Sequence, residues 1–83
     1  MRTNAKLTEM YIELKSGVPL GVFFRYMDEH SVEVRDVQLE MGKSSAKETV
    51  AFGTILKKKS FRGREEILKE IRDANFIEYF KEL

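Results

Sequence analysis

Lys57, Lys58, Lys59, Arg62 and Arg64 put five cations into eight residues around one aromatic, Phe61, in the stretch KKKSFRGR. These residue types suit the binding of a polyanion. Ammonium and guanidinium groups neutralise phosphates and release counterions, arginine forks onto phosphate or base, and a phenyl ring offers a face for a base to stack on. A second reading stays open beside it. Lysines at a strand end guard an edge against pairing with other chains, and Phe61 then plugs the end of a barrel beneath a helix.

The charge is segregated along the chain. Residues 1–56 carry seven cations against eight anions, 57–64 carry five cations and no anion, and 65–83 carry three cations against six anions. With a net charge of only +1, the molecule as a whole does not draw a polyanion, whereas the local block can hold one.

Other chemistries find little support. The chain has no cysteine and one histidine, His30, so neither a disulfide, a thiolate metal site nor a histidine cluster is expected. The acids alternate with lysines as solvated faces do, and no nucleophile stands beside a base, so the expectation is a protein that is not an enzyme and needs no cofactor. No apolar run approaches the roughly 18 residues of a membrane span, and MRTNAKLTEM lacks a signal-peptide core. A cytoplasmic or nuclear location without a membrane partner follows as an expectation.

The 83 residues read as a single domain, with 35% charged residues against about 25% in ordinary globular chains, which implies a folded core under a salt-rich surface. MYIELKSG alternates Met10, Ile12 and Leu14 with Tyr11, Glu13 and Lys15, predicting a half-buried strand over about 9–15 that ends at Ser16 and Gly17. VPLGVFFRYMD is rich in aromatic and branched residues with an internal glycine, and reads as a strand over about 20–27. Its rival is a helix starting at Pro19. In SVEVRDVQLEM, Val32 and Val34 share one face while Val37, Leu39 and Met41 share the other. That change of parity predicts a bulge at Arg35–Asp36 in a strand over about 32–41. GKSSAK is a polar loop. ETVAFGTILKK carries apolar groups on both faces and predicts an interior strand over about 48–57. Residues 64–82 show near-helical spacing, with Glu65 and Glu66 at the positive end, Ser60 as a possible cap, and Asn75 as a break.

Taken together, IELKSG, the aspartate eleven residues after Gly17, and the strand SVEVRDV resemble the first motif of the Sm-like RNA-binding family. SFRG at 60–63 looks like the arginine-glycine element of its second motif. The resemblance implies a strongly bent antiparallel sheet closing as a small Sm-like barrel, mainly β with a C-terminal α-helix. The alternative is an open four-stranded antiparallel sheet packed on one helix. It also implies RNA gripped by two loops, with His30, Ser31, Arg62 and Gly63 as contacts and Asp28 orienting the turn. The chain departs from the pattern where Ser31 replaces an asparagine and where Arg64, Glu65, Glu66 and Ile67 stand in place of an apolar strand.

The expected function is a non-catalytic subunit that binds single-stranded RNA, in a ribonucleoprotein or ring assembled as a homo- or hetero-oligomer through strand edges. Its candidate contacts are Asp28, His30, Ser31, Lys57, Lys58, Lys59, Phe61, Arg62 and Gly63. A protein-interaction module that binds no nucleic acid, such as an inhibitor or assembly factor, is the alternative.

Overall fold

A computed structural model describes residues 6–40 and 48–83. The GKSSAK loop and Met41, at the expected end of the third strand, lie outside the described residues. Six elements follow in order: β1 (Lys6–Leu14), α1 (Leu20–Glu29), β2 (Glu33–Leu39), β3 (Ala51–Lys58), α2 (Gly63–Asp73) and β4 (Ile77–Glu82).

β1 forms as its alternation requires. Thr8, Met10, Ile12 and Leu14 point inward and are buried, while Leu7, Glu9, Tyr11 and Glu13 point outward. The strand starts at Lys6, earlier than its apolar pattern suggests, because Lys6 and Leu7 still pair with Lys58 and Lys57 of β3. β3 is interior, between β2 and β1, which accounts for apolar groups on both its faces.

The segment 20–27 is helix, not strand. Its continuous apolar run satisfies both periods, but Leu20, Phe23 and Met27 at i, i+3 and i+7 make the stripe that meets the core. Pro19 stands at the N-cap, where its missing N–H costs nothing. Gly21 sits in the first turn with open space around it, so its low helix propensity weighs little. At the other end α1 closes in a Schellman motif. The Val32 N–H donates to the Met27 carbonyl at 2.8 Å and the Ser31 N–H to the Asp28 carbonyl at 3.1 Å. Ser31 takes the left-handed conformation, φ 59, and Val32 and Met27 meet in the core.

β2 carries the expected bulge. Arg35 faces Ile55, yet Gln38 faces Gly53, so Asp36 and Val37 together oppose one residue. Asp36 has φ 51, and the Thr54 hydroxyl donates to the Arg35 carbonyl at 2.8 Å beside the irregularity. The extra residue returns Val37 to the core side occupied by Val34.

The expected C-terminal helix stops at Asp73, and IEYFKE becomes an edge strand paired with β1, with Ile12 opposite Phe80. Ala74 turns extended at ψ 117, which sets the break one residue before Asn75. Phe76 and Phe80 at i, i+4 imitate a helix. The branched and aromatic run Ile77–Phe80 instead satisfies the second edge of β1, whose inward side chains are wholly buried.

The sheet order is β2-β3-β1-β4, all antiparallel. The sheet is open rather than closed into a barrel, and it packs with two helices rather than one. Phe23 and Met27 of α1 and Ile67 and Ile71 of α2 share one core with Met10, Ile12, Leu14, Phe52 and Leu56. Both helices therefore cover the same face. Two interleaved split β-α-β units in this order make the ferredoxin-like arrangement, which by itself carries no function. Among the described residues, no element covers the opposite sheet face.

Candidate functional site

The register sets Glu33 opposite Lys57 and Lys6 opposite Lys58. The turn after α1 and the cationic end of β3 therefore lie at the same end of the sheet. Its side chains are less free than their sequence suggests.

Lys58 shares the inward parity of Phe52, Thr54 and Leu56, and that parity delivers it to α2. Its Nζ donates to Glu70 Oε2 at 2.5 Å and lies 3.6 Å from Glu66. The hydrogen bond to Glu70 raises the ammonium above its ordinary pKa against the opposing effect of burial. With its side chain 19% exposed, Lys58 ties β3 to α2. Arg64 forks onto Glu82 of β4 with bonds of 2.8 and 2.7 Å, which lowers the Glu82 carboxyl below its usual range. Arg62 reaches Glu65 at 3.3 Å across one exposed turn.

Gly63 is buried at the start of α2, and a Cβ there would stand 2.6 Å from the Lys58 carbonyl oxygen. Its glycine is required by that close approach. Ser60 does not occupy the N-cap of α2, which is Arg62. Its Oγ accepts from the Arg62 N–H at 3.1 Å and shapes the turn.

Asp28, His30 and Ser31 finish α1 rather than forming a turn between two strands. The His30 ring stacks on Tyr26, centroids 4.1 Å apart, and its Nδ1 donates to the Tyr26 carbonyl at 2.8 Å. Ser31 holds the left-handed position of the helix end. Among the described residues, Lys57 and Lys59 have no ion-pair partner within 4.0 Å. Phe61 projects from the β3–α2 loop and is 80% exposed, beside a depression of about 520 Å³ bordered by Arg62, Arg64 and Glu65.

The uncovered sheet face holds a second constellation. Tyr11 of β1 lies between Gly53 of β3 and Lys81 of β4. Its ring meets Tyr79 edge to face at 6.1 Å. The Tyr11 hydroxyl donates to Glu13 Oε2 at 2.6 Å, and the phenol is pushed up to about 12, by burial first and then by that bond and the nearby carboxylates of Glu13 and Glu40. A hollow of about 370 Å³ opens here, bordered by Tyr11, Glu40, Gly53, Tyr79, Lys81 and Leu83. An adjoining hollow shares Glu40, Gly53 and Leu83 and adds Glu9 and Asp36.

Sequence reasoning missed this face for a local reason. Period two already turns Tyr11 outward, but with 64–82 read as a helix, Tyr79 had no place beside it. Comparison with known proteins finds no match: no family model, no curated protein and no solved structure aligns with this chain.

Proposed function

We propose that the chain is a non-catalytic protein-interaction module whose working surface is the sheet face left uncovered by the helices. The observation that carries this reading is the Tyr11–Tyr79 pair beside the hollow at Gly53. Aromatic side chains that remain accessible, Tyr79 at 48%, give large contact area for little loss of conformational freedom, which is why they concentrate in interfaces. Both helices already serve the other face, so these rings have no packing task within the sheet's covered layer. The outer edges of β2 and β4, unpaired among the described residues, add a route for homo- or hetero-oligomer assembly by strand pairing.

Photo-crosslinking tests the reading. A benzophenone amino acid at position 79 is expected to capture protein from cell extract, whereas the same group at Lys69, on the outer side of α2, captures none. Adducts that form equally from both positions, or adducts from 79 destroyed by ribonuclease, refute it.

A second reading, weak binding of single-stranded RNA at the β3–α2 loop, is favoured by the exposure of Phe61 between Lys57, Lys59 and Arg62. With Lys58 and Arg64 engaged internally, and Arg62 held only by an exposed, weak pair with Glu65, about three cations remain for phosphates. The logarithm of affinity should then fall with the logarithm of salt at a slope of about −2 for a single strand. Phe61→Ala should lower affinity by about 1–3 kcal/mol while leaving stability unchanged. Absence of oligonucleotide binding at low salt removes this second reading and leaves the first intact.

A further inference from the structure

The hollow at Gly53 has a chemical bias that narrows what it can take. Its floor is bare backbone, because position 53 of β3 is glycine. A Cβ built there would lie 3.8 Å from Glu40 Oε2 and 3.9 Å from the Met10 carbonyl, so the space above the strand is open and a carboxylate already overhangs it. Tyr11 and Tyr79 border the same space. Glu9, Asp36 and Glu40 border the adjoining hollow, and Glu13 sits against the Tyr11 hydroxyl. Lys81 is the one cation bordering either hollow among the described residues. Glu33 and Arg35, further along the sheet, neutralise each other at 2.9 Å.

Among the described residues, Glu40 and Lys81 border the hollow at the two phenol rings, and Glu9 and Asp36 add two carboxylates from the adjoining one. Three carboxylates against one ammonium disfavour phosphate and favour a cation. Among cations, a planar guanidinium is matched best: it is weakly hydrated, lies against aromatic rings and forks onto a carboxylate, where an ammonium is a compact, strongly hydrated point charge. The volume of about 370 Å³ falls within the range of side-chain and small-ligand pockets. Resting on the interaction-module reading above, we propose that this hollow is an arginine site, receiving the guanidinium of a partner protein's exposed segment over Gly53, against Tyr11 and Tyr79, with Glu40 as its principal counter-charge.

The probe is a capped peptide, Gly-Gly-Arg-Gly-Gly, with lysine and citrulline counterparts, titrated against the isotope-labelled full chain by NMR. The arginine peptide is expected to shift the Gly53 amide and the Tyr11 and Tyr79 ring signals. It should bind about tenfold more tightly than the citrulline peptide, which keeps the shape and loses the charge. Glu40→Gln should remove most of that difference. Gly53→Ala, whose added methyl meets only ordinary contact distances, should weaken binding while the chain stays folded.

Equal binding of the lysine peptide overturns the guanidinium assignment, as does equal binding of the citrulline peptide, or shifts that avoid Gly53 and both tyrosines. Failure of the arginine peptide while position 79 still crosslinks to protein removes the arginine site and leaves the interaction face. Failure of both removes both.

Discussion

Replacing Gly63 with alanine separates a steric role for this residue from a recognition role. In an ordinary helix the change is favourable by about 0.4–1 kcal/mol, because glycine loses more chain entropy on folding. Here the added Cβ would stand 2.6 Å from the carbonyl oxygen of Lys58, with the carbonyl carbon at 3.5 Å. The obstacle is backbone in the last residue of β3, which pairs with Lys6, so relief requires moving the strand end or the start of α2. Overpacking of this kind costs about 1–3 kcal/mol. The net expectation is a loss of about 1–2 kcal/mol, and since each kcal/mol shifts the midpoint of a domain this size by about 4–8 °C, thermal melting should fall by about 4–16 °C. Gly21→Ala is the internal control. Its Cβ meets nothing within 4 Å, so the same substitution should raise the midpoint by about 2–8 °C. Melts followed by circular dichroism, with urea titrations to confirm an unchanged m value, measure both. A Gly63→Ala variant that melts at or above the wild type refutes the steric account.

Other perturbations follow the same geometry. Ser31→Gly relieves a left-handed residue at the helix end and should stabilise by about 0.5–1 kcal/mol in urea unfolding. Lys58→Met should destabilise by about 1–3 kcal/mol, because it leaves Glu70, 15% exposed and with Oε1 lacking a partner among the described residues, without its cation. Adding Glu70→Leu should recover most of that loss. Tyr11 ionises only near 12 in the native state, so between pH 10 and 12 the folded chain holds a proton the unfolded chain has released, and stability falls across that window. The raised Lys58 ammonium acts in the same direction, its contribution being full below its unfolded pKa and lost above. Urea unfolding at pH 9 and pH 11 should show the drop, and Tyr11→Phe should reduce it.

Much of the secondary structure was legible because it rests on local periodicity. The alternation of Met10, Ile12 and Leu14 specifies β1, the parity change from Val34 to Val37 specifies the bulge, and the two-sided apolar pattern of Phe52 and Ile55 specifies an interior strand. Two segments were not legible. Residues 20–27 satisfy a period of two and a helical spacing at once, while 76–82 extend a helical spacing and have their strand alternation broken at Glu78, where the register against β1 shifts. Local propensity does not separate helix from strand in either. What separates them is where the chain must bury surface and pair backbone. Phe23 and Met27 become helical because the covered face of the sheet needs a layer over Phe52 and Met10. Ile77–Glu82 becomes a strand because β1 would otherwise keep an unpaired edge.

The five cations at 57–64, the single histidine and the uneven charge are properties of the sequence alone, and so is the inward turn of Lys58 once Leu56 is placed in the core. Which of those cations stay available was decided only in three dimensions. Glu66 and Glu70 reach Lys58, and Glu82 reaches Arg64, from 8 to 18 residues away. The meeting of Tyr11 with Tyr79 over Gly53 is equally a product of strand order. Those three residues lie on three different strands, and only the pairing of β3 and β4 with the two sides of β1 brings them onto one face.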